Sequence, residues 1–208
     1  MFRQRPPRSP AQRLAMAVVA ALTLALGYYV GNRIAGPGAQ VPRSPQALVA
    51  ARDPRPLADL ALTDHYGQPF GAEQLAGRWS LVAFAHPADV EQMRAALTRL
   101  VLVHNRLVDQ PTLQRKFRGL VVAIDPAPDP RTLRELVDID SADFLGLRGD
   151  PSSVALLAPE PSGDVPAEAL ALADTQGRLL GWFTPETLPS TSAGDIIVLS
   201  HSCATAAD

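Results

Sequence analysis

Three side chains able to hold a proton or a metal lie within one short stretch, AFAHPADVEQ (83–92): His86, Asp89 and Glu91. An imidazole beside two carboxylates suits a hard or borderline cation; it does not suit a soft one, which selects sulfur. The same residues also read as a helix start. Pro87 fits a first helical position, and acids in a first turn complement the helix dipole by about 0.3–1 kcal/mol each. The stretch therefore admits three readings: a helix start without chemistry, a weak metal site (His86, Asp89 and Glu91, with His65 as a further ligand), or a docking surface.

Thiol chemistry is excluded. The single cysteine, Cys203, allows neither an intramolecular disulfide nor a CxxC or CxxxC redox pair. With no thiolate at the turn, thiol–disulfide exchange and peroxiredoxin-type peroxidase chemistry have no nucleophile. His201 and Cys203 form a second candidate metal pair, close to a chain end where order is usually lost. His65, in DHYG, reads as a solvated turn residue, and His104 as a core or boundary residue on an apolar helix face. Asp125 and Asp129, in DPAPDP, are turn and cap residues by type. No Ser-His-Asp signature, P-loop or dinucleotide fingerprint occurs. The reading is of a protein that is not an enzyme.

The elements that would position the turn are legible around it. Trp79–Ala85 is a continuous apolar run, as in a central strand covered on both faces. Asp89 to about Val108 has helix periodicity through Val90, Met93, Leu97, Leu100, Val101, His104 and Leu107. Strands are predicted at Leu57–Thr63, Gly119–Ile124 and Phe144–Leu147, and a hairpin from Ala169–Ala173 and Arg178–Phe183 around DTQG. Helical segments are predicted at Glu73–Leu75, Arg131–Val137, Pro151–Leu157 and Ser192–Ser200. Strands alternating with helices and closing on a hairpin imply an α/β fold, a thioredoxin-like mixed sheet flanked by helices.

Charge divides the chain. The first 33 residues hold five arginines and no acid, and the remainder has fourteen basic against twenty-one acidic residues, a formal charge of −7. Such a body has no electrostatic footprint for nucleic acid. Leu14–Val30 is uncharged and apolar, and with Gly31–Ile34 it is long enough to span a bilayer once Arg33 snorkels. Four arginines precede the run and one follows it, which predicts a cytoplasmic N-terminus and an external body. A cleaved signal peptide is the rival reading, but Pro37 interrupts the best cleavage stretch, IAGPGAQ. The expected organisation is a basic N-terminus (1–13), one transmembrane helix (14–34), a Pro/Gly-rich tether (35–56), a domain (57–200) and a tail (201–208). The chain would then be a single-pass protein of the inner (cytoplasmic) membrane, its domain on the external or periplasmic side.

LTDHYGQPFGAEQLAGRWSLVAFAHPADVEQ resembles the opening of SCO/SenC proteins, thioredoxin-fold copper chaperones of cytochrome c oxidase assembly. VVAIDPAPDPRTLRELV, FLGLRGDPSSV and LADTQGRLLGWF follow in that family's order and spacing, so the resemblance covers roughly Leu57–Ser200. In the family the turn reads His-Cys-Pro-Asp-Val-Cys-Pro and binds copper through its two cysteines. Here the register is His86-Pro87-Ala88-Asp89-Val90-Glu91-Gln92, with Pro87 and Glu91 at the cysteine positions. The family's third ligand, a histidine just before the last hairpin, has no counterpart in GDVPAEALAL. The resemblance thus implies a degenerate member without copper, other cofactor or redox ligands. Its role would be as a docking accessory for oxidase subunits or copper carriers, its surface at His86, Pro87, Asp89 and Glu91. The alternative is a metal-binding protein using a reorganised His/carboxylate site.

Overall fold

The computed structural model describes residues 44–124, 130–137, 143–157 and 168–205. The predicted transmembrane run at 14–34 lies outside them, as do Asp125 and Asp129. Among the described residues no helix is long and apolar enough to cross a membrane. The chain divides into two units, Met1–Val41 and Pro42–Asp208, and every described residue belongs to the second.

WSLVAFA forms strand β4 (Trp79–Ala85), buried along its whole length. Before it come β1 (Val49–Pro56), β2 (Ala61–Asp64), β3 (Pro69–Gly71) and a short helix α1 (Ala72–Leu75). After it come α2 (Val90–Arg106), α3 (Pro111–Lys116), β5 (Phe117–Ala123), α4 (Pro130–Val137), β6 (Phe144–Gly149) and α5 (Pro151–Leu157). The chain closes with β7 (Leu170–Ala173), β8 (Arg178–Phe183) and α6 (Pro189–Thr205). The eight strands form one sheet in the order β1-β8-β7-β4-β5-β6-β2-β3. β4, β5 and β6 run parallel, and the other neighbours pair antiparallel. This is the expected mixed α/β sheet.

The period-2 alternation of the central strands divides the core in two. Leu81, Ala83, Val121 and Leu172 face α2 and α6, while Val82, Phe84, Leu120 and Val122 face Leu57, Leu75, Leu147 and Leu157. Helix α2 buries Met93, Ala96, Leu97, Leu100 and Val103, each large side chain among them contributing about 1.5–3 kcal/mol. The stripe centres on Met93, Leu97 and Leu100, so Val90, expected on the buried face, is 48% exposed.

Several expectations need correction. Residues 49–56, read as tether, form edge strand β1 on β8. VAARDPRP carries charges and prolines because an edge strand satisfies only one ladder and stays largely exposed. The two strands approach closely at Gly181 (φ 157°), where an added Cβ would lie 2.2 Å from the Val49 carbonyl oxygen. Leu57–Leu60 precedes β2 and is not part of it, whereas Pro69–Gly71, read as turn, pairs with β2. Helix α3 was not foreseen. Finally, α6 extends through Thr205, so that His201 is helical rather than part of a loose tail.

His65 is the clearest reversal: it is 2% exposed rather than solvated. Its Nδ1 accepts from the Gly146 N–H at 2.9 Å, and its own N–H donates to the Gly146 carbonyl at 2.9 Å. Burial pushes the imidazole below its ordinary value of 6.5, against the pull of Asp64. A base with a depressed folded pKa favours the folded state while neutral, so its contribution is present above the unfolded pKa and lost as pH falls below it. Urea midpoints are therefore expected to drop as pH is lowered from 7.5 to 5. His65→Asn, whose Oδ1 can take the place of Nδ1, should flatten that dependence; an equally steep profile in the variant would show that another group is responsible.

Candidate functional site

The turn follows the carboxyl end of β4, held there by its neighbour strand: the Ile124 N–H, just past β5, donates to the Ala85 carbonyl at 3.0 Å. Asp89 N–H donates to the His86 carbonyl (2.9 Å) and Ala88 N–H to His86 Nδ1 (3.2 Å), which places the neutral imidazole's proton on Nε2. Asp89 is the N-cap of α2, with extended backbone (φ −101°, ψ 91°), and its Oδ1 accepts from the Gln92 N–H at 2.9 Å. The Gln92 side chain reaches back and accepts from the His86 N–H. Two backbone donors are thereby satisfied, one by each side chain, as in a capping box displaced by three residues. Pro87 lies two residues before the cap, not at the first helical position. Glu91, in the first turn, pairs with Arg94; both side chains are well exposed, so the pair contributes little to stability.

Asp89→Ala should therefore cost about 1 kcal/mol of stability through the lost cap. Chemical denaturation of variant and parent would check this, and an unchanged midpoint would mean that the Asp89 cap adds no measurable stability.

Beside the turn lies a groove of about 330 Å3 between α2 and the start of β7. Phe84 and Leu170 contribute to its apolar floor, and Asp89, Glu91, Arg99 and Glu168 to its polar rim. Two exposed apolar side chains, Val90 and Ile124 (48% and 41% exposed), stand next to the same turn. Sequence reasoning missed Arg99, Gln92, Glu168 and these two aliphatics. The S/T/D-x-x-E/Q pattern of Asp89 and Gln92 was available as a signal; for Arg99 there was none, because its partners are distant backbone carbonyls.

The predicted metal candidates do not converge. Among the described residues no three His, Cys, Asp or Glu side chains are grouped to hold an ion. His86, Asp89 and Glu91 stay together at the turn, but Asp89 is engaged as cap and Glu91 with Arg94. His65 pairs beside β6, three strands from β4, or about 14 Å at the usual strand spacing. His104 is half-buried, its ring 5.8 Å from Phe117 and 5.5 Å from Phe144, as a boundary histidine should be. His201 is exposed on α6 and lines a separate hollow with Trp79 and Lys116; the Cys203 side chain lies outside the described residues. Copper, which the intact family motif binds through its cysteines, does not fit the donor set of this turn. The Pro87 ring carries no donor atom, the Glu91 carboxylate is hard and ion-paired, and His86 Nδ1 already accepts a backbone N–H.

Known proteins resemble this chain in sequence and in fold. A Stutzerimonas stutzeri protein provisionally named for copper binding is 29% identical over 97 residues, which cover 46% of this chain and 47% of that protein. The match thus spans about half the length of that curated relative. Yeast Sco1 solved with copper bound has a TM-score of 0.60 at 22% identity, covering 72% of this chain and 95% of its own. A SCO1/SenC family lipoprotein of Bacillus anthracis has a TM-score of 0.54 at 17% identity, covering 73% and 98%. Both structural likenesses establish the thioredoxin-like fold alone. The family model described as SCO1/SenC matches residues 52–160, just over half of the sequence. On that match, with the strand–turn–helix frame in place, the chain belongs to the SCO1/SenC family.

Proposed function

We propose that this is a membrane-anchored SCO-like protein without copper or redox ligands, acting by docking as an accessory in cytochrome c oxidase assembly or copper delivery. One observation carries the reading: the polar side chains of the turn are engaged with neighbouring groups of the protein. Asp89 caps α2, Gln92 reaches back to His86, and Glu91 pairs with Arg94. The groove beside the turn and the exposed Val90 and Ile124 supply a surface for a partner. The copper and oxidase context comes from the family and from the copper-bound yeast relative.

The test is recovery of partners from native membranes with the tagged full chain. Oxidase subunits or a copper carrier should be recovered, and Val90→Asp with Ile124→Asp should reduce that recovery by about tenfold, since both side chains are exposed and the fold does not need them. Recovery of neither class counts against the reading. Stoichiometric copper or zinc retained after loading and desalting, and lost in His86→Ala, would replace it with a reorganised metal site.

A further inference from the structure

Arg99 lies in the third turn of α2, half-buried, with its guanidinium at the rim of the groove. Its Nη1 donates to the Glu168 carbonyl at 2.6 Å and its Nη2 to the Thr184 carbonyl at 3.1 Å. Glu168 stands two residues before β7, and Thr184 directly follows β8. The register pairs Leu170 with Phe183, so both carbonyls belong to the open end of the β7–β8 hairpin. One side chain therefore ties both legs of that hairpin to the helix that begins at the turn. Thr184 is itself braced: its carbonyl also accepts the Thr187 N–H at 3.0 Å, and the two threonine hydroxyls lie 3.2 Å apart. The carboxylates of Glu168 and Glu186 act on the guanidinium as well, offsetting part of its burial.

The tie joins the middle of α2 to the segment before β7 and the end of β8. We propose that Arg99 is the positioning residue of the candidate site: its guanidinium closes the open end of the β7–β8 hairpin onto α2 and holds the groove in shape with no metal ion taking part. Arginine suits the task because its planar fork reaches two carbonyls at once, whereas lysine presents a single donor centre. The inference deepens the docking reading, since the groove beside the turn is the surface that reading uses.

Hydrogen–deuterium exchange of the purified full chain, read by mass spectrometry, tests it in the parent, Arg99→Met and Arg99→Lys. Arg99→Met keeps an apolar stem and should speed exchange by about tenfold in peptides covering 168–172 and 182–187, while β5 stays protected. Arg99→Lys, able to satisfy one carbonyl, should show a smaller increase confined to one of the two segments. Adding Cu(I), or the copper chelator bathocuproine, should leave the parent unchanged. Unchanged exchange in both segments of Arg99→Met overturns the proposal, as does parent-like exchange in Arg99→Lys if the methionine variant fails to fold. Protection in the parent that depends on Cu(I) also overturns it. The measurement needs no partner, so its failure is separable from failure of the docking reading.

Discussion

Asp195→Ala is expected to lower the melting temperature of the domain by about 10 °C. Asp195 lies on α6 and is 1% exposed. Its Oδ1 accepts from the Gln46 N–H at 2.8 Å, and its Oδ2 from Ala47 and Leu48 at 2.8 and 2.9 Å. Three backbone donors thus converge on one carboxylate, and the strap they belong to leads directly into β1. Hydrogen bonds to a charged group contribute about 1.5–3 kcal/mol each. The freed strap is partly open to water and can rehydrate, and alanine is the better helix former by about 0.6 kcal/mol. A net loss of about 3–4 kcal/mol remains, and each kcal/mol moves the midpoint of a domain this size by about 2–4 °C. Asp195→Asn keeps one acceptor oxygen but turns an amide donor toward a backbone N–H, so it should lose a similar amount or slightly less. Thermal unfolding followed by near-ultraviolet circular dichroism of Trp79 and Trp182 reads both variants. A drop below about 2 °C for the alanine variant would mean the strap is held mainly by Ala47 and Leu48 packing on the core.

Restoring thiols should restore copper binding. Pro87→Cys with Glu91→Cys is expected to retain about one equivalent of Cu(I) after desalting against a weak chelator, where the parent retains none. The expectation rests on the frame around the two positions. Pro87 has no backbone donor to lose, and Glu91 contributes only an exposed pair with Arg94, so neither change should disturb the fold. A cysteine at position 91 would sit in the first turn of α2, where the helix dipole favours the thiolate. Each single variant supplies one thiolate and should bind far more weakly. If the double variant takes up no copper, two thiolates at these positions do not suffice without the third ligand that GDVPAEALAL lacks, and the expectation fails.

The elements whose residues carry their own reasons were legible. WSLVAFA and RLLGWF read as strands because their apolar runs match β4 and β8 residue for residue. Asp89 read as a helix-start residue because a carboxylate in or beside a first turn complements the helix dipole; that it caps the helix through the Gln92 N–H came from the structure. Other parts were hidden because their partners lie far along the chain. His65 looks like a solvated turn residue until the Gly146 N–H, 81 positions away, arrives at its Nδ1. Arg99 looks like a surface arginine on an amphipathic helix, and its two carbonyls come from 69 and 85 positions later. Strand β1 carries no apolar alternation because it is largely exposed, and its partner strand lies more than a hundred residues downstream.

Chemistry at the turn was decided by the sequence itself. Which atoms occupy positions 87 and 91 follows from residue type, and no folding can give proline or glutamate a sulfur. The central strands and the helix start follow equally from local pattern and capping. Tertiary structure alone decided which groups remained available: it buried His65, tied Arg99 to the last hairpin, and left Val90 and Ile124 exposed near the turn. The reason is physical. Covalent identity and short-range propensity are properties of neighbouring residues, whereas burial and hydrogen-bond satisfaction belong to groups that meet only when the sheet has closed.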